Sequence, residues 1–295
     1  MNAVPTAAAN GIQLAYETFG DPDDPTVLLV MGLGAQMVSW DEGFCAQLVE
    51  RGFHVVRFDN RDIGLSTWID TPDLDVAAAV LAAFGGDLTQ APYLLTDMAD
   101  DAIGLLDHLG LGAVHVVGAS MGGMIAQTLA IEHPDRVRSL TSIMSTTGDP
   151  SVGAPSPELL GTLIAERPAD LEASIAFSVA MSKAISSPDH FDEERARARA
   201  VREIERGINP LGVPRQLLAI VSSGDRGEGL AALDLPTLVV HGRQDRLVDF
   251  SGGQRTAELV PGADLLAIDD MAHDVPVAHW PRIADAIAAV AHRAG

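Results

Sequence analysis

The residues Val114-His115-Val116-Val117 run into Gly118-Ala119-Ser120-Met121-Gly122 and out again through a stretch carrying Met124, Ile125, Leu129 and Ile131 at helical spacing. A G-x-S-x-G pentapeptide alone recurs by chance. Between an apolar strand and a helix it predicts a strand–turn–helix in which the serine takes a strained backbone conformation and lifts its Oγ above the end of a sheet. Strand and helix nearly touch around such a turn. The positions two before and two after the serine must therefore be small, and Gly118 and Gly122 meet that demand.

Around this unit, strand-like and helix-like segments alternate, which predicts an α/β chain with a mostly parallel sheet. Residues 11–19 alternate apolar and polar ahead of a turn rich in Asp and Pro, as an edge strand would. Val27-Leu28-Leu29-Val30 is continuously apolar, the pattern of a strand buried on both faces. Further strands are expected at 54–58, 114–117, 140–144, 237–240 and 265–268. Met98, Ala102, Leu105, Leu106 and Leu109 mark a helix with Thr96 as N-cap and Gly110 near its end. Another helix is expected behind Ser120 as far as Glu132, and a last one over 283–291.

The alternation breaks between about 150 and 212, where Pro150, Pro155, Pro157, Pro168 and Pro188 fall and no strand pattern appears. The expected organisation is a core of residues 1–150 and 211–295 with a helical cap, 151–210, inserted into it. Within the cap, Glu193 and Arg197 lie four apart in the orientation that favours a helical ion pair on a solvated face. Leu159, Leu160, Ile164, Ile175, Phe177, Val179 and Met181 are candidates to line an apolar pocket or to hold the cap to the core.

With 295 residues, 47% of them apolar, the chain can bury the core of one large domain. Its net charge of −22, from 19 basic and 41 acidic residues, argues against nucleic acid or an anionic membrane as partner. Cys45 is the only cysteine, so no disulfide closes within the chain, and core packing is its expected role. Residues 1–12 lack the basic and apolar regions of a signal peptide, and no run approaches the roughly 20 apolar residues of a membrane span. A soluble cytoplasmic protein is expected. The sequence sets no oligomeric state.

A serine hydroxyl needs a base to take its proton and a third group to orient that base. In this kind of turn the chain order is serine, then acid, then histidine. Asp245 follows the late strand at 237–240, where ligand sites of open α/β sheets collect, while Asp249 reads as the start of the next helix. His273 follows the last strand and is the candidate base. The other histidines lie in strands, at helix ends, in the cap or near the C-terminus, except His241, which abuts a strand end on the acid's own loop, and His279, which leads into the last helix, and their spacing makes no metal set. Two backbone N–H groups should hold the oxyanion of a tetrahedral intermediate. One belongs to Met121, after the serine. The other is assigned to Leu33, in a loop whose Gly32 and Gly34 let backbone approach a ligand.

Taken together, the segment 118–122, the Asp245 and His273 loops and Asp59-Asn60-Arg61-Asp62-Ile63-Gly64-Leu65-Ser66 resemble the α/β-hydrolase family over nearly the full length. Met31-Gly32-Leu33-Gly34, residues 59–66 and residues 118–124 are similar to the bacterial branch that holds aclacinomycin methylesterase and related small carboxylesterases. The resemblance implies a cofactor-free serine hydrolase of a small or medium apolar ester. Its triad would be Ser120, Asp245 and His273, its oxyanion donors Leu33 and Met121, and Gly32, Gly118 and Gly122 would support the turn. The same triad serves C–C bond, lactone and thioester hydrolysis and cofactor-free haloperoxidase or perhydrolase chemistry in the family. A ligand-binding receptor with residual hydrolysis is the remote alternative. Three positions depart from the family pattern. Met31 replaces a histidine that braces the oxyanion loop, Ala272 replaces the glycine before the catalytic histidine, and Asp62 stands where a glycine is common.

Overall fold

A computed structural model describes residues 4–88, 90–159 and 167–294. Among the described residues, eight strands form one sheet in the order β1-β2-β4-β3-β5-β6-β7-β8. They are β1 Thr6–Ala9, β2 Ile12–Phe19, β3 Thr26–Val30, β4 His54–Phe58, β5 Val114–Ala119, β6 Val137–Ile143, β7 Thr237–Gly242 and β8 Asp264–Ile268. β2 pairs antiparallel with both β1 and β4, and every pairing from β4 to β8 is parallel. The expected edge strand, β2, is therefore one place inside the edge. β1 covers it with Thr6-Ala7-Ala8-Ala9, a segment too poor in β-branched and aromatic residues to announce a strand.

The continuous apolar run of β3 is explained by the two cores it serves. Leu28 and Val30 face one layer with Leu105 and Leu106 of α3 (Leu95–His108) and Ile125 and Leu129 of α4 (Met121–Glu132). Val27 and Leu29 face the other, with Phe44 and Leu48 of α1 (Glu42–Val49) and Ile283 and Ile287 of α10 (Trp280–Arg293). Cys45 is buried in this second layer, where burial pushes its thiol up to about 12. Between β4 and α3 lies α2 (Val76–Phe84), an element not expected from the sequence.

The helix of residues 95–108 starts two residues earlier than expected. Its N-cap is Leu94, whose N–H donates to Asp97 Oδ2 at 2.7 Å, and Thr96 lies inside the first turn. At the other end Gly110, with φ +67°, lets the Leu111 N–H return to the Leu106 carbonyl at 2.9 Å.

Between β6 and β7 the described chain is helical. It forms α5 (Leu171–Ile185), α6 (Glu193–Arg206), α7 (Gly212–Ser223) and the short α8 (Gly227–Ala231), and α9 (Phe250–Leu259) follows β7. The anticipated pair within α6 does not form. Arg197 reaches across to Glu172 of α5 at 2.6 Å instead, so the charge run ties two helices together. Leu159 and Ile175 are buried, and Phe177, Val179 and Met181 are half-buried. Leu160 and Ile164 lie outside the described residues. Among the described residues no helix is long and apolar enough to cross a membrane.

Candidate active site

Ser120 stands between β5 and α4 with φ +56° and ψ −121°, the strained conformation that the strand–turn–helix pattern predicts. The turn is held by the Ser120 N–H on the Ile143 carbonyl at 2.9 Å and by Ser145 Oγ on the Ser120 carbonyl at 2.8 Å. The glycine requirement is steric. A Cβ at Gly118 would lie 2.0 Å from the Gly122 carbonyl oxygen, and one at Gly122 would lie 2.1 Å from that of Val30.

The two other polar groups meet the serine from loops at the carboxyl ends of β7 and β8. His273 Nε2 is 3.0 Å from Ser120 Oγ, and His273 Nδ1 is 2.8 Å from Asp245 Oδ2. A carboxylate can only accept, so the ring proton sits on Nδ1 and leaves Nε2 as the acceptor for the serine hydroxyl. Asp245 Oδ1 accepts the N–H groups of Leu247 and Val248, both at 2.9 Å. Burial by itself would raise the Asp245 carboxyl. Electrostatic attraction to the His273 imidazole, the hydrogen bonds from His241 and His273 and the attraction to His241 outweigh it and hold the carboxyl well below the usual carboxylate range. Asp249 caps α9 by accepting the Ser251 N–H at 3.0 Å, as its position in the sequence predicts.

His241, placed by the sequence on the acid's loop and set aside as the base, is a neighbour of the carboxylate. It is fully buried, its Nε2 lies 2.9 Å from the Val248 carbonyl, and the same nitrogen is 3.4 Å from Asp245 Oδ2. Its Nδ1 has no partner among the described residues and is backed by Gly253, where a Cβ would come within 2.2 Å. The proton is thus on Nε2, shared between a carbonyl and the carboxylate. The position at the end of β7 was the available signal, since a histidine there faces the same loop as the acid.

The loop after β3 lies against the serine. A Cβ on Gly32 would be 3.0 Å from Ser120 Cβ and 3.5 Å from its Oγ. The Leu33 N–H belongs to this loop, and the Met121 N–H opens the first turn of α4, where amides have no intrahelical acceptor. The brace that Met31 cannot supply comes from elsewhere. Asn60 Nδ2 donates to the Met31 carbonyl at 2.8 Å, and Gln216 Oε1 of α7 accepts the Gly34 N–H at 2.9 Å.

Asp62 resolves the third departure. Its φ is +71°, the left-handed conformation a glycine would take there, which aspartate tolerates better than most residues. Its fully buried carboxylate accepts from Ile69 N–H at 2.7 Å, Tyr93 Oη at 2.8 Å, Arg215 Nη1 at 3.0 Å and Asn209 Nδ2 at 3.1 Å. The side chain a glycine would lack thus anchors α7 and the turn before it. Beside it, Asp59 accepts from Met37 N–H, Leu65 N–H and Arg206 of α6. Burial pushes the Asp59 carboxyl up in spite of that guanidinium.

The His273 loop is stitched to the end of α5. The His273 N–H donates to the Ile185 carbonyl at 2.9 Å, Ala272 N–H to Ser187 Oγ at 2.8 Å, and Ser187 N–H to Asp274 Oδ1 at 2.9 Å. Ala272, in place of a glycine, is buried and carries a conformation that alanine adopts without strain, since no positive φ falls on it. Spacing along the chain gave no metal set, but folding brings His190, Asp270 and His279 into one group beside this stitch.

The profile of the alpha/beta hydrolase fold family matches residues 25–279. The chain belongs to that family. Rhodomycin D methylesterase of Streptomyces peucetius is 28% identical to this α/β hydrolase, with 94% of each chain covered. A thermophilic esterase from Thermogutta terrifontis superposes with a TM-score of 0.73 at 25% identity, covering 99% of this chain and 97% of its own. The enol-lactonase from Burkholderia xenovorans LB400 shares the fold, with a TM-score of 0.74 at 21% identity over 97% of this α/β hydrolase and 99% of its own chain.

Proposed function

We propose that this α/β hydrolase cleaves carboxylic esters of small or medium apolar substrates through an acyl-enzyme on Ser120. The observation that carries the reading is the unbroken relay from Ser120 Oγ to His273 Nε2 at 3.0 Å and from His273 Nδ1 to Asp245 Oδ2 at 2.8 Å. Ser120 Oγ attacks the ester carbonyl carbon while His273 takes its proton, and Asp245 holds the ring in the required tautomer and stabilises the imidazolium. The Leu33 and Met121 N–H groups stabilise the oxyanion. His273 then protonates the departing alcohol. A water, deprotonated by the same ring, attacks the acyl carbon and releases the acid and Ser120. The likeness to two named esterases supports this class of bond.

The helices of residues 151–210 act as a cap over this site. Gln36 of the oxyanion loop donates to the carbonyls of Glu203 and Gly207, and Arg206 pairs with Asp59, which places the end of α6 beside the loops after β3 and β4. The chemistry needs neither metal nor cofactor.

The test is hydrolysis of p-nitrophenyl esters of increasing acyl length by wild type and Ser120→Ala. The expected result is turnover in wild type and a drop in kcat of roughly 10⁶-fold in the variant, because the three side chains act as a unit. The acyl-length profile would size the pocket. Activity that survives in Ser120→Ala, or a folded wild type that turns over none of these esters, overturns the proposal.

A further inference from the structure

Three side chains outside the Ser120 relay converge at the joint between the helical segment and the core. His190 ends the turn Pro188–His190 after α5, Asp270 follows β8, and His279 ends the turn Val277–His279 that leads into α10. Asp270 Oδ2 lies 2.8 Å from His190 Nε2, and its Oδ1 lies 2.9 Å from His279 Nε2. The two rings meet edge to face with centroids 5.1 Å apart. One ligand-capable atom from each residue lies within 4.8 Å of the others.

We propose that His190, Asp270 and His279 form a binding site for a divalent transition-metal ion of the zinc class, placed so that the ion clamps the helical segment to the loop bearing His273. Two imidazoles and one carboxylate are the donor set of zinc-type ions rather than of calcium or magnesium, which take oxygen ligands. Bonds of about 2.0–2.1 Å in a tetrahedral site put ligand atoms roughly 3.3 Å apart. Each imidazole is already inside that separation from one Asp270 oxygen, His190 from Oδ2 and His279 from Oδ1, and with one ligand atom from each residue the widest pair within the 4.8 Å group needs to close by no more than about 1.5 Å. All three side chains are partly exposed, at 23%, 44% and 14% for His190, Asp270 and His279. Water can therefore complete the coordination, and an ion has a path in. The chain's net charge of −22 favours a cation at any such surface site.

Proton accounting is simple. Each ring now points Nε2 at a carboxylate oxygen that only accepts, so each carries its hydrogen there. A neutral ring binds the ion by moving that hydrogen to Nδ1, and an imidazolium ring releases one proton. The clamp would reinforce the stitch already made by the Ile185 carbonyl and Ser187, three to five residues before His190. None of the three residues belongs to the Ser120 relay, so this site and the ester chemistry stand or fall separately.

The test is isothermal titration of chelator-treated, desalted wild type with Zn²⁺, repeated on His190→Ala, His279→Ala and Asp270→Asn, with circular dichroism confirming that each variant is folded. The expected results are one saturable Zn²⁺ per chain and a Zn²⁺-dependent rise in the Tm of wild type. Affinity should fall by more than about 100-fold in each folded variant, beyond the effect of losing an outer-shell partner. No saturable Zn²⁺ binding by wild type, or binding left unchanged in any folded variant, overturns the proposal.

Discussion

Replacing Asp245 with asparagine changes one oxygen for an amide and leaves the volume alone, so it isolates what the carboxylate does. In the native loop Oδ1 accepts two backbone N–H groups, and Oδ2 faces the His273 Nδ1 and His241 Nε2 protons. Every neighbour is a donor. If the amide nitrogen turned toward Leu247 and Val248, it would oppose a part-buried and a buried N–H group and leave both unpaired, at about 1–3 kcal/mol for the buried one. The nitrogen must therefore face His273. There it donates, and His273 Nδ1 has to become an acceptor. The ring proton moves to Nε2, which then points a hydrogen at Ser120 Oγ and cannot take the serine proton. An inverted tautomer of this kind lowers kcat by roughly 10⁴-fold, which is about 5.4 kcal/mol of transition-state stabilisation. The assay is kcat for p-nitrophenyl acetate, alongside a urea melt to show that Asp245→Asn remains folded. A folded variant that keeps kcat within about tenfold of wild type would refute the tautomer argument and remove Asp245 from the relay.

Two further outcomes follow from buried groups. Asp62→Ala leaves the Arg215 guanidinium, whose side chain is only 5% exposed, without its carboxylate and places alanine at φ +71°. Urea denaturation should show a loss of about 3–5 kcal/mol, with Asp62→Asn losing less, and an Asp62→Ala protein as stable as wild type would sink the anchoring role. His115, buried in β5 and lowered from 6.5 to about 4 mainly by burial and then by Arg138, stays neutral in the fold while the unfolded chain takes up a proton. Its stabilising contribution is complete above pH 6.5 and is lost as pH falls toward 4, by about 3 kcal/mol at 1.36 kcal/mol per unit. The difference between wild-type and His115→Gln stabilities should narrow by about that amount across this range, and a difference independent of pH contradicts the assignment.

The parts of the fold legible in the sequence were those whose physics is local. Gly118 is demanded by the Gly122 carbonyl within its own strand–turn–helix, the pentapeptide spacing marks Gly122 as well although the nearest atoms that crowd it belong to β3, and β3 reads as doubly buried because its four apolar residues alternate between two cores. Asp245 and His273 were legible because each follows a strand whose own pattern is strong. What stayed hidden depended on partners distant in the chain or on weak local patterns. β1 is three alanines and a threonine, with no alternation to detect. The Leu94 cap works through Asp97 rather than through its own side chain, so a search for a capping hydroxyl lands on Thr96. Arg197 had a suitable partner four residues away but found Glu172 on another helix. Asp62 looked like a defect in a loop, yet its partners Tyr93, Asn209 and Arg215 lie 31, 147 and 153 residues away. His190, Asp270 and His279 share no spacing that would announce them as a group.

The hydrogen bond from the His273 N–H to the Ile185 carbonyl bears on how such a protein can be re-engineered. Helical segments between the strands of such a sheet invite treatment as interchangeable parts, to be swapped between relatives to change what enters. Here the segment between β6 and β7 also supplies the Ile185 carbonyl and the Ser187 hydroxyl that hold the loop of His273. A chimera that lacks acceptors at those two places would shift the imidazole as well as reshape the entrance. Substitutions selected near residues 185–187 for a new substrate would therefore register in turnover as well as in binding, and grafts should be cut outside that stretch.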